Sequence, residues 1–379
     1  MTTRIEWEEG GETRSALWRS ESGWPAPRKV VPADDTMSAD AAYRLALDGT
    51  ALLWRGDFQN ARQLLQALVR RIEHKGERGR RAKSKAPATP TEAFHRHRLS
   101  QLQRARTLAM LLIPFEADHG IPLRRAPDAR LACLEAYGQV DEPYVASLRE
   151  LLGVIGAHEW RRKGVMVPAL DDRIHPWYGV FSPVRGEYVE LVAQAPLPAG
   201  AKTAFDIGAG TGVLSAVLAR RGLRVVATDM DARALGCARE NVARLGLAAQ
   251  VEVVKADLFP QGRAHLVVCN PPWLPGKPSS AIEYAIYDPD SRMLHGFLGR
   301  LNEHLEPGGE GWLIMSDFAE HLGLRSREQL LGWIQEAGLQ VVARHDTRPV
   351  HPRASDPDDP LHAARAKEVT SLWRLRGAG

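Results

Sequence analysis

The sequence predicts an α/β fold: a doubly wound, mostly parallel sheet over residues 171–379, preceded by a mostly helical domain over residues 41–170. Two observations predict it. After about residue 175, short apolar runs alternate with longer runs that end at glycine, which is typical of strands alternating with helices. Before that point, apolar residues recur at spacings of three and four, which is the period of one helix face.

Composition bounds the class of protein. The chain has 379 residues, 44% hydrophobic and 25% charged, with a formal net charge of +4. Its three cysteines have no C-x-x-C spacing, so neither a disulfide framework nor a zinc site is expected. The polar N-terminus lacks the apolar core of a signal peptide, and no run approaches the ~20 apolar residues of a membrane span. We expect a cytoplasmic protein with no metal and no membrane partner.

The N-terminal elements follow in order. Residues 1–40 are expected to be poorly ordered. The first predicted helix has an apolar face that includes Phe58 and Leu65, and the second has an apolar face that includes Leu99. Residues 75–91, KGERGRRAKSKAPATPT, have almost no apolar content and predict a flexible loop. The second, third and fourth helices are predicted over residues 92–113, 128–137 and 142–160.

A basic stretch is the strongest indication of a partner. Residues 70–106 hold twelve Lys or Arg against three Glu. A solvated loop and helix face would account for this pattern. We favour an arm that contacts the phosphates of a nucleic acid through Arg98, Arg104 and Arg106.

The second half predicts strands and helices in alternation. The strands are TAFDIGAG, RVVATDMD, QVEVVKADLF, AHLVVCNPPW, EPGGEGWLIM, QVVARHD and TSLWRL, and the helices are VLSAVLARRG, ARALGCARENVARLG, residues 291–305 and REQLLGWIQEAG. Ligands of such sheets bind at the carboxyl ends of the strands. The chemically notable residues of this chain all follow strand ends.

The first such end is DIGAGTG, which places Gly208, Gly210 and Gly212 between a strand and a helix. Glycine allows a tight turn and close approach of a ligand, although a plain turn is an alternative. A nicotinamide site would require glycine where Val213 stands. The next strand ends at Asp229, whose carboxylate is an acceptor for ribose hydroxyls, and Asp231 is expected to cap the following helix. Asp257 ends the third strand and suits an adenine amino group.

Residues 203–273 resemble a class I S-adenosyl-L-methionine (SAM)-dependent methyltransferase of the Rossmann-like fold. DIGAGTG resembles its first motif, Asp229 its ribose-binding acid and ADLF its adenine-side motif, while residues 181–192 resemble the segment that precedes the first motif in N-methyltransferases. The resemblance implies SAM as co-substrate, bound by Asp206, Gly208, Ala209, Gly210, Thr211, Gly212, Asp229, Asp257, Leu258 and Asn270.

The fourth strand ends in the sequence Asn270, Pro271, Pro272, Trp273. Planar nitrogens are poor nucleophiles, and two carbonyl acceptors can hold their N–H bonds so that the lone pair faces a methyl donor. Asn270 supplies a side-chain carbonyl and Pro271 a main-chain carbonyl, the prolines fix the backbone, and Trp273 offers a stacking face. NPPW resembles the (N/D)-P-P-(Y/F/W) motif of N-methyltransferases, with Trp where most glutamine methyltransferases have Tyr. These four residues are the predicted catalytic set.

Two further residues and several alternatives complete the hypotheses. Glu283 and Tyr284 follow the motif and are weak candidates for substrate contact. The favoured function is methylation of an exocyclic amine of a nucleic-acid base, with RNA favoured over DNA as the substrate. Methylation of a protein glutamine amide, a non-catalytic module that only binds RNA, and a nicotinamide oxidoreductase are the alternatives.

Overall fold

The computed structural model describes residues 3–81, 87–183, 186–278, 281–350 and 356–378. The chain forms two compact units. The first comprises Met1–Ala88, His95–Glu159 and Ser279–Ala281, and the second comprises Thr89–Phe94, Trp160–Pro278 and Ile282–Gly379. The main division therefore falls about ten residues before the predicted boundary at residue 170.

The first unit contains a six-stranded sheet. Its strands are β1 (Arg4–Glu9), β2 (Glu12–Trp18), β3 (Lys29–Ala33), β4 (Thr50–Trp54), β5 (Leu111–Phe115) and β6 (Tyr144–Ser147). They lie in the order β1-β2-β6-β5-β4-β3, with β3, β4 and β5 parallel. Its helices are α1 (Ala39–Leu47), α2 (Phe58–Arg81), α3 (Pro90–Ala109), α4 (Arg130–Tyr137) and α5 (Leu148–Lys163), of which α3 and α5 continue across the division.

This unit differs from the predicted helical domain. The helices are present, but the sheet was not predicted, and residues 4–33 form β1, β2 and β3 instead of a poorly ordered segment. Ile5 and Trp7 of β1 are buried in the core with Leu53 and Leu112. The strands are only four to seven residues long. β4, β5 and β6 are fully buried, so their residue pattern suits a helix as well as a strand.

Two helix boundaries and the exposure of one residue also differ. The second helix ends at Ala109, because Leu111–Phe115 is a fully buried strand instead of its last turn. Leu99, expected on the apolar side, is 57% exposed. Helix α2 continues to Arg81, into the segment predicted as a loop, and the rest of that prediction up to residue 86 lies outside the described residues.

The second unit contains the predicted doubly wound sheet. Its strands are β9 (Thr203–Ile207), β10 (Arg224–Asp229), β11 (Val251–Lys255), β12 (Ala264–Cys269), β13 (Leu305–Ser316), β14 (Leu339–Thr347) and β15 (Thr370–Gly377), and a separate hairpin pairs β7 (Val165–Val167) with β8 (Asp172–Ile174). The helices are α6 (Glu187–Gln194), α7 (Val213–Arg220), α8 (Ala232–Arg244), α9 (Arg292–Leu301), α10 (Phe318–His321), α11 (Arg327–Glu336) and α12 (His362–Arg365).

The strand order is β11-β10-β9-β12-β13-β15-β14, with β9 to β13 parallel and β15 antiparallel to both of its neighbours. The order reverses between β9 and β12, so a crevice opens at the carboxyl ends of these strands. Apolar side chains cover both faces of the sheet: Val217 and Val268 lie in one core cluster, Phe297 and Leu313 in the other. The predicted fold of this half is confirmed.

Candidate functional site

The strand register brings the predicted site residues to one edge of the sheet. Cys269 of β12 lies opposite Ile207 of β9, Ile207 lies opposite Thr228 of β10, and Asp229 lies opposite Lys255 of β11. Neighbouring strands are about 4.8 Å apart. The glycine turn, Asp229, Asp257 and Asn270 therefore follow the ends of four adjacent strands.

The glycine turn requires glycine for two different reasons. Gly208, Gly210 and Gly212 have φ angles of 75°, 55° and 78°, in the left-handed region. A Cβ on Gly212 would also lie 3.2 Å from the backbone of Ala238 in α8, so the turn packs closely on that helix. The N–H groups of Gly208 and Ala209 both donate to the Thr228 carbonyl at 2.9 Å, which ties the turn to β10.

Asp206 lies beneath the turn and is 1% exposed. Its carboxylate accepts a hydrogen bond of 2.5 Å from the Ser215 hydroxyl, so it joins β9 to the first turn of α7. Burial raises the pKa of Asp206 to about 6, against the lowering effect of that hydrogen bond. Asp206 thus supports the turn from below, and Thr211, 2% exposed, is buried as well.

Asp229 lies at the mouth of the turn. One carboxylate oxygen accepts from the Gly210 N–H at 3.0 Å, and the other accepts from the Asp231 N–H at 3.0 Å. A carboxylate has about four acceptor positions, so acceptor capacity remains for hydroxyl donors. Burial raises the pKa of Asp229, while these backbone donors act in the opposite direction. Asp231 caps α8 through the Arg233 N–H, as predicted.

The segment after β11 presents a second carboxylate. Asp257 is exposed, and in the described part of the chain its carboxylate accepts no hydrogen bond. Leu258 beside it has a φ of 70°, which is unusual for a residue with a side chain. Its carbonyl accepts a 2.5 Å hydrogen bond from the Thr228 hydroxyl, which fixes this segment on β10. Such local strain is often found at binding sites.

Asn270 and Trp273 form a pair within the motif. The Trp273 indole N–H donates to the Asn270 side-chain oxygen at 2.9 Å, which fixes which end of the carboxamide is the acceptor. One lone pair of that oxygen remains. The Pro271 carbonyl accepts no hydrogen bond from the described residues. Two carbonyl oxygens at this strand end therefore have acceptor capacity that no described donor uses.

The Trp273 ring is less available than the sequence suggested. It is partly buried and packs against both core clusters of the second unit. Much of the ring surface predicted as a stacking face is thus used in packing. The Trp273 indole places an N–H donor on the Asn270 oxygen. A Tyr at this position would have its hydroxyl, the only side-chain donor, at the far end of the ring.

The segment after the motif returns to the same strand end. The Leu274 N–H donates to the Ile286 carbonyl, and the Asp288 N–H donates to the Leu274 carbonyl at 2.9 Å. Glu283 and Tyr284 lie on a short 3-10 helix between them, and Tyr284 is 67% exposed. This exposure is compatible with substrate contact but does not test it.

One residue of this region, Asn241, was not singled out from the sequence. The Asn241 carboxamide, 1% exposed on α8, donates to the Thr211 carbonyl at 3.1 Å and accepts from the His175 N–H at 2.7 Å. It joins the glycine turn to the preceding segment. Asp288 accepts from the N–H groups of Met293 and Leu294 at the start of α9. A polar residue on the apolar side of the α8 pattern was the available signal for Asn241.

The basic residues lie on α3. The Arg104 guanidinium is 3.0 Å from the Glu73 carboxylate of α2, whereas Arg106 is exposed. Arg98 is half-buried and has other partners. These three residues belong to the first unit, and their predicted role in binding phosphate stays a prediction.

Across the described ranges, no three His, Cys, Asp or Glu side chains are grouped as metal ligands. The described helices include none with the length and apolar content to cross a membrane. Burial raises the pKa of the Cys133 thiol to about 11 and that of the Cys237 thiol to about 12, so neither is a reactive thiolate near neutral pH.

Comparisons with known proteins agree with this geometry. The family "Methyltransferase small domain" matches residues 174–334, which include the glycine turn, both acidic strand ends and the NPPW motif. The tRNA1(Val) (adenine(37)-N6)-methyltransferase of Shewanella loihica is 30% identical over 176 residues, covering 43% of this chain and 69% of that protein.

Two further relatives carry different names. The release factor glutamine methyltransferase of Cereibacter sphaeroides is 34% identical over 127 residues, covering 32% of this chain and 42% of its own. The ribosomal RNA small subunit methyltransferase C of Alcanivorax borkumensis is 33% identical over 112 residues, covering 29% of this chain and 31% of that protein. The chain thus spans less than half the length of these two relatives. Family and fold are nevertheless clear: the chain belongs to the class I SAM-dependent methyltransferases with a methyltransferase small domain.

Proposed function

We propose that this protein transfers the methyl group of SAM to a planar nitrogen, namely an exocyclic amine of a nucleic-acid base. RNA is favoured over DNA as the substrate. The observation that carries the proposal is the pair of carbonyl oxygens at the end of β12. Among the described residues, no donor uses the second lone pair of the Asn270 oxygen or the Pro271 carbonyl, and the glycine turn lies at the adjacent strand end.

The residues at the neighbouring strand ends fit SAM. Asp229 keeps acceptor positions for the two ribose hydroxyls, and the exposed Asp257 carboxylate, which accepts no hydrogen bond from the described residues, suits the adenine amino group. The left-handed glycines leave the backbone open to close approach, and Leu258 lies beside Asp257. SAM supplies a methyl group on a positively charged sulfur.

Asn270 and Pro271 then act by orientation. Each oxygen accepts one N–H of the target amine, and the nitrogen lone pair is held out of the plane toward the methyl donor. The amine gains positive charge as the N–C bond forms and the C–S bond of SAM breaks to leave S-adenosylhomocysteine, and the two carbonyl dipoles stabilise that charge. No strong base is needed in this step, because an N-methylated ammonium is acidic and releases its proton afterwards.

Two observations favour RNA as the substrate polymer: the basic stretch and the names of the relatives. Twelve Lys or Arg against three Glu in residues 70–106 suit a phosphate backbone. Two of the three relatives described above are named for RNA. The third is named for glutamine in a release factor, so a protein amide is the second candidate.

The test uses SAM with a radiolabelled methyl group and separate pools of RNA, DNA, ribosomes and protein from cells that lack the protein. We expect label in RNA, and loss of at least a hundredfold of transfer in Asn270→Ala, on the order of an oriented electrostatic contact. SAM affinity, measured by calorimetry, should change little in the same variant, because Asp229 and the glycine turn are intact.

Asn302→Ala is the matched control. The Asn302 carboxamide is hydrogen-bonded as well, donating to the backbone carbonyls of Ala337 and Gly338, but Asn302 precedes β13 at the opposite end of the parallel strands. Full transfer in Asn302→Ala with none in Asn270→Ala supports the proposal. Label in protein alone would select the amide alternative, and unchanged turnover in Asn270→Ala would refute the mechanism.

A separate substitution tests whether α3 contacts the phosphates of RNA. Arg106→Glu is the cleaner change, because reversal of Arg104 would place a carboxylate against Glu73. We expect weaker RNA binding and a salt dependence flattened by about one phosphate contact. Arg62→Glu, on the exposed side of α2 outside the basic stretch, controls for net charge. Equal effects of both variants would remove the role of Arg106.

A further inference from the structure

Asp288 joins the segment that follows the NPPW motif to the start of α9. Its backbone N–H donates to the Leu274 carbonyl at 2.9 Å, and Leu274 follows Trp273 directly. Its carboxylate accepts from the N–H groups of Met293 and Leu294 at 3.0 and 3.1 Å, with one oxygen on each. Asp288 is 5% exposed, so these bonds are shielded from water.

The start of α9 lies against the glycine turn. A Cβ added to Gly208 would lie 2.7 Å from the terminal methyl carbon of Met293, so this side chain contacts the turn directly. One turn further along α9, a Cβ added to Gly296 would lie 2.6 Å from the Leu258 side chain, next to Asp257. The glycine at position 296 therefore leaves room for Leu258 on the helix. The first two turns of α9 thus contact two of the segments that are predicted to bind SAM.

The backbone between Asp288 and α9 follows an unusual path. Asp290 and Ser291 have φ angles of 54° and 52°, so two consecutive residues with side chains are in the unfavourable left-handed region. Ser291 directly precedes the helix, yet its side chain caps no N–H group within the described ranges, and Asp288 caps the helix from three residues earlier. Backbone strain of this kind persists only where the surrounding bonds hold it, and it is concentrated at functional sites.

Capping of α9 accounts for only part of this arrangement. An acidic side chain is favourable at a helix N-terminus, where it satisfies N–H groups that have no partner within the helix. A cap on Ser291 itself would achieve this without two left-handed residues. The bond from Asp288 to Leu274 and the contact of Met293 with Gly208 play no part in capping. These two connections lead from Asp288 to the NPPW side and to the glycine-turn side of the site.

We propose that Asp288 is a positioning residue for methyl transfer, which fixes the distance between the acceptor site at the NPPW motif and the SAM site at the glycine turn. This inference rests on the proposed function, in which Asn270 and Pro271 hold the acceptor amine. Transfer requires the reacting atoms to be aligned and about 3–3.5 Å apart, and a misplacement of about 1 Å can cost a hundredfold in rate. Asp288 acts through Leu274 on one side and through Met293 on the other, and it touches neither reactant.

The experiment measures single-turnover methyl transfer from radiolabelled SAM to the pool, RNA or protein, that the wild type labels. Asp288→Asn keeps the shape of the side chain and one acceptor oxygen, whereas Asp288→Ala removes both oxygens. Ser326→Ala is the matched control, because Ser326 caps the neighbouring helix α11, on the same face of the sheet, through the Gln329 N–H at 3.1 Å. SAM affinity by calorimetry and the melting temperature are measured for every variant.

We expect Asp288→Ala to lower the rate at saturating SAM by about tenfold to a hundredfold, and Asp288→Asn to lower it less. SAM affinity should change little, because Asp229 and the glycine turn keep their hydrogen bonds. Ser326→Ala should keep the wild-type rate, although the loss of its cap lowers the melting temperature. Met293→Ala should also slow transfer. The double variant with Asp288→Ala should be no slower than the slower single variant, because both changes interrupt the same connection.

Several results would overturn the inference. If both Asp288 variants keep the wild-type rate while Asn270→Ala loses transfer, the proposed function stands without it. A loss of SAM affinity that matches the loss of rate would assign Asp288 to cofactor binding instead. An equal fall of the rate in Ser326→Ala would show that the loss of any helix cap has this effect. Losses that multiply in the double variant would exclude the connection through Met293. If Asn270→Ala keeps the wild-type rate, the proposed function and this inference fall together.

Discussion

Replacing Trp273 with phenylalanine tests whether the indole N–H orients Asn270. The change removes one hydrogen bond, 2.9 Å from the Trp273 nitrogen to the Asn270 side-chain oxygen, and keeps an aromatic ring between the two core clusters. Without this donor, the Asn270 carboxamide can rotate and present its NH₂ group to the substrate amine. Part of the enzyme population would then offer the wrong partner.

The expected magnitude follows from the type of bond. A neutral hydrogen bond contributes about 0.5–1.5 kcal/mol net, so kcat should fall roughly two- to tenfold. The smaller ring leaves a partial void, which should lower the free energy of unfolding by about 1 kcal/mol. SAM affinity should be nearly unchanged, because Asp229 and the glycine turn are not touched.

The assay follows single-turnover methyl transfer at saturating SAM, with SAM binding measured separately by calorimetry. Trp177→Phe is the control: it also loses an indole donor, to Glu240 at 3.1 Å, but not one that touches Asn270. A kcat equal to the wild type in Trp273→Phe, or an equal fall in Trp177→Phe, would refute the orienting role. A fall in SAM affinity that accounts for the lower rate would refute it as well.

Two further predictions concern the glycine turn. In urea titrations, Gly212→Ala should lose about 1–3 kcal/mol more unfolding free energy than Gly210→Ala. Both glycines have a left-handed φ, but only a Cβ added at Gly212 would lie against Ala238, and equal losses in the two variants would contradict this reasoning. Asp206 has a pKa raised to about 6 from 3.8, so the stability of the wild type that comes from its protonation is present below pH 3.8 and is lost as the pH rises through 6. Asp206→Asn should therefore gain stability relative to the wild type, by up to about 3 kcal/mol, between pH 4 and pH 6, and a pH-independent difference would exclude this.

The second unit was predictable from the sequence because its signals are local. Glycines with positive φ are needed where a strand turns into a helix, and acidic residues mark the following strand ends. The parallel order then brings these ends together, so a linear pattern becomes a site. The family resemblance rests on the same residues.

The first unit was not predictable to the same degree. Its helices have an apolar period, and α2 and α4 lie close to where that period places them. Three of its strands, β4, β5 and β6, are short and fully buried, so they show no alternation of exposed and buried residues. A short apolar run of this kind fits a helix equally well until the pairing of strands distant in sequence is known.

The sequence by itself determined the fold class of the second unit, the position of the glycine turn and the identity of the carbonyl and carboxylate groups at the strand ends. Only the tertiary structure decided how those groups are engaged. The structure places the buried Asp206 carboxylate on the Ser215 hydroxyl, and it places the Trp273 indole N–H on the Asn270 side-chain oxygen. The physical reason is that burial and hydrogen-bond partners depend on contacts between distant segments, which spacing along the chain does not encode.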